Sequence, residues 1–293
     1  MAFQRCQVCC LLLALLISLQ LTSGLAAYRR ADVAVYWGRN KDEGTLRETC
    51  DTGEYTTVII SFLAAFGHGK YALDLSGHDI AGVGDDINYC KSKGIMVLLS
   101  IGGPGSEYSL PSLQAAVDLA DYLWNAFILG SGAGVHRPFG DASVDGVDFF
   151  IDQGATEHYA YGKLASRLYN YTKGFRGWGV TLTATPKCGF PDERLAAALD
   201  TGLFNRIHVR LYGEDRGCAS TPMQSWEKWS VAYPESRVFV GVVASPEADA
   251  AAYMSPRDLH TRVLRFAEKR AGFGGIMIWN RYYDKKTGYS GRL

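Results

Sequence analysis

Short, mostly apolar segments recur along the chain, and each is followed by a longer stretch in which polar residues return. The segments are Asp32–Trp37, Thr57–Leu63, Ile95–Ile101, Gly146–Ile151, Val180–Ala184, Arg206–Tyr212, Arg237–Val243 and Gly275–Trp279. Near-continuous apolar runs of this length are typical of parallel strands that are buried on both faces. The pattern therefore predicts eight parallel strands joined by helices and loops.

Several of the intervening stretches are typical of helices, namely Ser112–Phe127, Glu157–Tyr169 and Ser255–Ala271. The last begins with Ser255-Pro256, an N-cap residue followed by proline at the first helical position. Eight strand-then-helix units in roughly 265 residues match the size of a (β/α)8 barrel. We therefore expect an α/β fold, a single-domain (β/α)8 TIM barrel. The eighth helix should be vestigial or absent, because the sequence stops soon after the eighth strand.

An open, doubly wound sheet is the alternative fold. It would normally carry a glycine-rich phosphate-binding turn after its first strand. Here the first strand is followed by Gly38-Arg39-Asn40-Lys41, which is not such a turn. This difference favours the barrel.

The first residues have the features of a secretory signal peptide. Arg5 precedes an apolar run that includes residues 11–17, and the segment Gly24-Leu25-Ala26-Ala27 then offers small residues for cleavage. The alternative, a membrane anchor, is disfavoured because the run is too short to span a bilayer. We expect residues 1–27 to be the signal peptide and residues 28–293 to form the barrel. The mature protein should then be soluble and secreted into the extracellular space (the apoplast), with no membrane partner.

Four of the seven cysteines lie outside the predicted signal peptide. An even number of cysteines in a secreted chain implies disulfide bonds, and four cysteines allow three pairings. We favour the most local pairing, Cys50 with Cys90 and Cys188 with Cys218. In the same secreted context, the sequon Asn170-Tyr171-Thr172 predicts a glycosylation site on the surface at Asn170.

Composition and charge narrow the classes of function. The chain is 47% hydrophobic and 20% charged, which excludes a disordered protein. Its 30 basic and 30 acidic residues balance, so nothing in the charge favours a nucleic-acid partner. The six histidines are scattered without a metal-binding spacing, so we expect no bound metal. We also expect no cofactor, and we expect the protein to be a monomer.

The segment Asp145-Gly146-Val147-Asp148-Phe149-Phe150-Ile151-Asp152 contains the chemically most informative residues. Alternate side chains of a strand share a face, so Asp148, Phe150 and Asp152 should point together into the top of the barrel, with Asp148 deepest. A buried carboxylate is costly without a partner or a task, so this strand is a candidate catalytic element.

Aromatic residues lie at the carboxyl ends of several predicted strands, which is the functional end of such a barrel. They are Tyr36, Phe62, Tyr212 and Trp279. Flat apolar rings stack on sugar faces, so together with the acids they indicate a carbohydrate cleft. For any one of these rings a place in the core is the better interpretation, but that interpretation weakens for four of them at strand ends.

The segment 145–152 resembles the D-G-x-D-x-D-x-E signature of glycoside hydrolase family 18, the chitinases. The segments 36–40, 99–103 and 274–279 look like those of class III plant chitinases, and the cysteine positions fit that subfamily. The resemblance implies a barrel in which Trp279 forms the floor of the sugar subsite and Tyr212 contacts an N-acetyl group. It also implies substrate-assisted catalysis, an exception to the usual two-carboxylate scheme.

Two positions depart from the signature in the residues that carry its chemistry. Asp152 stands where the family has the glutamate that protonates the glycosidic oxygen, and a misplacement of about 1 Å can slow a reaction about 100-fold. Phe150 stands where the family has the aspartate that orients the acetamide, and losing such stabilisation costs about 3–4 kcal/mol. Arg210 and Gly213 also replace the usual glutamine and asparagine. We therefore expect a degenerate motif at Asp145, Asp148, Phe150 and Asp152, with no catalytic residues.

A second resemblance is to the cereal xylanase inhibitor proteins of the XIP type. It rests on Phe150 within the signature, on His208-Val209-Arg210-Leu211-Tyr212 and on Cys188-Gly189-Phe190-Pro191. That group consists of family 18 barrels without chitinase activity, which block the xylanases that microbes secrete to breach plant cell walls. The resemblance implies an inhibitor of fungal endo-1,4-β-xylanases in plant defence. The alternatives are a weak chitinase using Asp152 as acid and a lectin-like binder of chito-oligosaccharides.

Xylanases of families 10 and 11 hold two catalytic carboxylates in a cleft, which a projecting cation could neutralise. By resemblance, the family 11 site is the loop between the fourth helix and the fifth strand, here 171–179. Candidate contacts in it are Lys173, Phe175, Arg176 and Trp178, and either cation could enter the cleft. The alternative is an ordinary solvated loop.

The resembling inhibitors bind family 10 xylanases at the seventh helix and its approach. Arg257 stands there in this chain and could supply a second cation, although an ordinary solvated charge is an equal interpretation. A glycan at Asn170 could obstruct docking at the loop 171–179.

Overall fold

Parallel strands close into a barrel in the computed structural model, which describes residues 31–67, 69–105, 107–154, 157, 159–173, 179–213 and 216–293. The strands are β1 (Asp32–Trp37), β2 (Thr57–Phe66), β3 (Ala72–Leu73), β4 (Met96–Gly102), β5 (Glu107–Tyr108), β6 (Gly146–Phe150), β7 (Thr181–Ala184), β8 (Arg206–Arg210), β9 (Arg237–Val243) and β10 (Phe273–Trp279). The eight longer strands coincide with the eight apolar segments to within a few residues, which confirms the (β/α)8 barrel. The predicted signal peptide lies outside the described residues.

The barrel closes because its first two strands pair with each other. Its neighbours follow the order β1-β10-β9-β8-β7-β6-β4-β2, all parallel, and β1 then pairs with β2. The short strands β3 and β5 pair with the extended end of β2. This closure brings the carboxyl ends of all barrel strands to one rim.

Alternating side chains divide the apolar residues into two cores. On β1, Ala34 and Tyr36 face the barrel interior, where they join a cluster that includes Phe62, Phe150 and Phe239. The intervening residues of the same strand belong to a larger cluster between the strands and the surrounding helices. Both faces of each strand are therefore buried, which explains the near-continuous apolar runs.

The surrounding helices are α1 (Leu46–Asp51), α2 (Val83–Ser92), α3 (Leu113–Phe127), α4 (Ala160–Thr172), α5 (Ala196–Leu199), α6 (Arg216–Ser220), α7 (Pro222–Ala232), α8 (Pro256–Leu259), α9 (Arg265–Ala267) and α10 (Arg281–Thr287). Ser255 caps α8 as predicted, since its side chain accepts a hydrogen bond from the Asp258 amide at 3.1 Å. The helix predicted at 255–271 is interrupted by a π-helical turn, His260–Leu264. The helix predicted at 157–169 begins three residues later, without a side-chain cap.

The eighth helix, α10, is only seven residues long, in agreement with the expectation of a vestigial one. A buried carboxylate, Asp284, fastens it to the rest of the fold. It accepts hydrogen bonds from the Ser290 amide at 2.7 Å, from the Ser290 hydroxyl at 2.6 Å and from the Tyr55 hydroxyl. These contacts tie the end of the chain to the residues just before β2.

Disulfide bonds connect Cys50 to Cys90 and Cys188 to Cys218, as favoured from the sequence. The first joins α1 to α2, and the second joins the loop after β7 to α6. Their Cα–Cα distances of 5.6 and 6.0 Å are ordinary for disulfides. In the part of the chain that the structure describes, no helix has both the length and the apolar character needed to cross a membrane.

Replacing Asp284 should destabilise the fold. Asp284→Ala leaves the hydroxyl groups of Tyr55 and Ser290 without their acceptor, and we expect a loss of about 3 kcal/mol in the free energy of unfolding. Chemical denaturation measures this loss. The matched control is Glu247→Gln, which removes only the exposed pair with Lys286 on the same helix and should change little. Equal effects of the two substitutions would contradict the prediction.

Candidate functional site

Asp148 lies on β6 inside the barrel and is fully buried. Among the described residues, its carboxylate accepts hydrogen bonds from Tyr36 and Ser100 hydroxyls (2.7 Å each), from Thr183 (2.6 Å) and from Thr185 (2.9 Å). The Nδ1 atom of His208 lies 3.4 Å from the same carboxylate. The sequence predicted the deep position of Asp148, but it did not predict these partners.

The partners of Asp148 determine its ionisation. Burial opposes the charged form, but hydrogen bonds from His208, Thr183 and Tyr36 outweigh it and lower the pKa of Asp148. Burial and the Asp148 charge raise the pKa of Tyr36 well above its usual value, so Tyr36 stays a neutral donor. Asp148 is thus an ionised anchor that cross-links several strands from within.

Phe150 covers this anchor with an apolar layer. Its ring is 2% exposed and lies edge-on to Tyr36 and Phe62, with ring centroids 5.8 and 5.2 Å away. Tyr36 and Phe62, expected at the cleft, are themselves 0% and 1% exposed. They therefore lie beneath the cleft rather than on its wall, because β2 and β1 bury these positions in the barrel interior.

Arg210 and Asp152 form a two-pronged ion pair above Phe150. One guanidinium nitrogen, Nη1, lies 3.0 Å from Oδ2 of Asp152, and Nη2 contacts Oδ1. The guanidinium carbon of Arg210 sits 4.1 Å from the centre of the Phe150 ring, a cation–π contact. Burial would lower the pKa of Arg210, but the hydrogen bonds with Asp152 raise it.

This pairing defines what Asp152 can do chemically. A carboxylate whose two oxygens accept from a guanidinium has an acceptor role and no proton to donate. The cation cannot release it, because arginine stays protonated in proteins. Both carboxylate oxygens of Asp152, the last acid of the motif, are thus engaged by the Arg210 guanidinium.

A cleft of about 700 Å³ opens above these residues at the carboxyl ends of the strands. Its lining includes Phe150, Asp152, Arg210, Tyr212 and Trp279. The rings of Tyr212 and Trp279 lie 6.4 Å apart, and burial raises the pKa of the Tyr212 hydroxyl. Both aromatic residues therefore stand where the sequence placed them.

Asp145, the first acid of the motif, lies at the opposite end of β6. It pairs with Lys91 at 2.9 Å and accepts a hydrogen bond from the Val97 amide at 2.8 Å. It contacts neither Asp148 nor Asp152 among the described residues. Its contacts connect the amino end of β6 to α2 and β4, which is a structural role.

Glu43 has a structural role that the sequence analysis did not identify. It is fully buried and accepts hydrogen bonds from the amides of Gly38, Arg39 and Asn40 at 2.7, 2.8 and 3.0 Å. It thereby fixes the loop after β1. The spacing of Asn40 and Glu43, a capping box, is the sequence signal that could have identified it.

Lys173 lies at the end of the barrel opposite the cleft. It directly follows α4, is exposed, and its ammonium lies 5.5 Å from the Tyr169 ring. The neighbouring Thr172 lines a pocket with Met96 and Thr181. These are the first residues of β4 and β7, so the pocket lies at the amino ends of the strands. The other candidates in this loop, Phe175, Arg176 and Trp178, lie outside the described residues.

Arg257 lies in the first turn of α8, three strand–helix units around the barrel from α4. It is exposed and has no ion pair with any residue that the structure describes. It lines a shallow groove of about 480 Å³ together with His260, Arg292 and Leu293. The two candidate cations thus occupy different flanks of the molecule. Within the described ranges, no three His, Cys, Asp or Glu side chains are arranged to hold a metal ion.

The depressed pKa of Asp148 should make its contribution to stability depend on pH. The unfolded chain takes up a proton near the ordinary value of 3.8, whereas the folded carboxylate stays ionised to lower pH. The stability advantage of the wild type over Asp148→Asn should therefore be constant above about pH 5 and shrink below pH 3.8. Urea denaturation at pH 6, 4 and 3 measures it. A constant advantage down to pH 3 would contradict the lowered pKa.

Comparisons with known proteins agree with this geometry. The rice (Oryza sativa subsp. japonica) protein named Xylanase inhibitor protein XIP is 56% identical over 291 residues, 96% of this chain and 98% of that protein. The crystal structure of a xylanase and alpha-amylase inhibitor protein from Scadoxus multiflorus superimposes with a TM-score of 0.84 at 40% identity, covering 89% of this chain and 97% of that one.

A chitinase from Ipomoea carnea has a similar structure, with a TM-score of 0.81 at 38% identity and coverage of 89% and 98% of the two chains. The sequence profile of the glycosyl hydrolases family 18 matches residues 32–245. With the barrel, the strand β6 motif and these matches together, the chain belongs to glycosyl hydrolase family 18.

Proposed function

We propose that this protein inhibits the endo-1,4-β-xylanases that microbes, fungi in particular, secrete against plants, and that it does not hydrolyse chitin. The observation that carries the proposal is the ion pair of Arg210 with Asp152 on top of Phe150. This ion pair lies at the positions that carry catalysis in family 18 hydrolases, which supports the loss of hydrolysis. The outer surface of the barrel also presents exposed cations, which supports inhibition.

The loss of hydrolysis follows from the two substituted positions. A general acid must hold a proton within reach of the leaving oxygen, and Asp152 instead accepts from Arg210. Phe150 fills the place of the carboxylate that would support charge on the substrate acetamide, and its ring offers no hydrogen bond. Fold and function separate readily in this way, because function resides in the site.

Inhibition is supported by the relatives and by the exposed cations. Relatives at 47–57% identity bear the name of xylanase inhibitors. Lys173 is exposed and has no carboxylate partner among the described residues, and Arg176 follows it in the same loop. In our proposal this loop enters the acidic cleft of family 11 xylanases, and Arg257 contacts family 10 xylanases on another flank.

The proposed setting is extracellular. The signal peptide predicted at 1–27 and the two disulfide bonds both favour an oxidising compartment. Since the xylanases of plant pathogens act on the cell wall, a monomeric inhibitor in the apoplast meets them directly.

The inhibition is tested with Lys173→Ala/Arg176→Ala and with Arg257→Ala, each titrated against one family 10 and one family 11 xylanase. The double variant should lose at least about tenfold in affinity for the family 11 enzyme, because a truncated central cation commonly costs more than 1 kcal/mol. Arg257→Ala should weaken only family 10 binding. The matched control is Lys163→Ala, an exposed lysine of α4. Unchanged family 11 inhibition by the double variant would reject the loop.

The loss of catalysis is tested by restoring the family residues in steps. The wild-type protein should not hydrolyse chito-oligosaccharides at a measurable rate. Phe150→Asp with Asp152→Glu should remain nearly inactive, because Arg210 would pair with the new carboxylate, and adding Arg210→Gln should raise the rate by about 100-fold or more. Product release followed by chromatography measures this. Wild-type turnover close to that of an active class III chitinase would refute the proposal.

A lectin-like binder of chito-oligosaccharides is the second candidate function. The cleft of about 700 Å³ with Tyr212 and Trp279 in its lining favours it. Tight binding of chito-oligosaccharides without hydrolysis, together with no inhibition of either xylanase, would make it the better account.

A further inference from the structure

The last turn of α4 presents a defined outer face. Tyr169, Asn170 and Lys173 are exposed, whereas Leu168 is buried and Tyr171 is half-buried. Positions three and four residues apart on a helix are neighbours, so these exposed residues share one patch of surface. We call Tyr169, Asn170 and Lys173 the outer patch.

Contacts on the inner face fix the orientation of this turn. The Tyr171 ring stacks on Trp124 of α3, with centroids 4.8 Å apart and planes within 8°. The Tyr171 hydroxyl contacts Asp121, which also accepts a hydrogen bond from Arg167 Nε at 3.0 Å. Because Tyr171 is held inward, Asn170 must point to solvent.

Asn170 is also the acceptor residue of the sequon. Its side-chain amide has no hydrogen-bond partner among the described residues, so attaching a sugar displaces no contact. The hydroxyl of Thr172, the third sequon residue, donates within the turn to the Tyr169 carbonyl at 2.7 Å. Asn170 and Lys173 are three positions apart, which places their Cβ atoms about 5–6 Å from each other.

We propose that Asn170 carries an N-linked glycan and that this glycan screens Lys173, so that glycosylation weakens inhibition of family 11 xylanases selectively. A branched oligosaccharide on the outer patch occupies the space that a cleft must enter to reach the ammonium group. The flank with Arg257 lies three units around the barrel and stays free. The inference rests on the proposed function, and it adds a modification that selects between the two classes of xylanase.

The modification uses the chemistry of the secretory pathway. A bond forms between Asn170 Nδ2 and the anomeric carbon of an oligosaccharide linked to a lipid diphosphate. The bond from that carbon to the diphosphate oxygen breaks, and the lipid diphosphate and one amide proton leave. No oxidant or reductant is required.

The experiment compares secreted protein from a eukaryotic host in four forms: wild type, Thr172→Ser, Thr172→Ala and Asn170→Gln. Thr172→Ser keeps the sequon and a hydroxyl group, whereas the other two variants remove the sequon in different ways. Intact-mass spectrometry measures glycan occupancy, and inhibition constants are measured against one family 11 and one family 10 xylanase. Glycan release that converts Asn170 into aspartate is avoided, because it would place a carboxylate beside Lys173.

We expect glycan on the wild type and on Thr172→Ser. The glycosylated molecules should inhibit the family 11 xylanase at least about tenfold more weakly than the two sequon-free variants, with equal inhibition of the family 10 enzyme. An unglycosylated wild type, or equal family 11 inhibition by all four forms, would overturn the inference. If the sequon-free variants inhibit neither xylanase, the proposed function fails and the screening role fails with it, while the occupancy measurement still stands alone.

Discussion

A carboxylate buried inside a barrel has to be satisfied, and Asp148 imposes this constraint on the rest of the molecule. An isolated charge in the interior would be strongly destabilising. The fold meets the requirement with hydroxyl groups from several strands and with His208. These donors connect neighbouring strands from the inside, so Asp148 holds the barrel strands together through hydrogen bonds. Because Asp148 keeps its partners, strand β6 fits the barrel although Phe150 and Asp152 differ from the family signature.

Phe150, Asp152 and Arg210 lie above Asp148 and form a second group of interdependent residues in the lining of the cleft. Phe150 separates the buried charge from the cleft, and the Arg210 guanidinium lies over that ring while it pairs with Asp152. A buried arginine would be unfavourable without the aspartate, and the aspartate would lose the hydrogen bonds that it accepts from the arginine. The three residues therefore support one another. Replacing one of them alone would remove a contact on which the other two depend.

Much of the fold could be predicted from the sequence, because parallel barrel strands leave continuous apolar runs and each run here formed a strand. The inward face of Asp148 followed from strand periodicity, and the cleft positions of Tyr212 and Trp279 followed from their place at the carboxyl ends of predicted strands. The Arg210–Asp152 pair did not, since it joins residues 58 positions apart whose approach depends on the register of β6, β7 and β8. Tyr36 and Phe62 were expected at the cleft but lie below it, because alternation gives the face of a residue and not its depth.

The groove shared by Arg257, Arg292 and Leu293 has a practical consequence for handling the protein. Leu293 borders the side chain that we assign to one class of target enzyme. An affinity tag or fluorescent fusion appended after Leu293 would crowd that flank and imitate a loss of recognition. Recombinant material intended for comparing targets should therefore carry its label away from this groove.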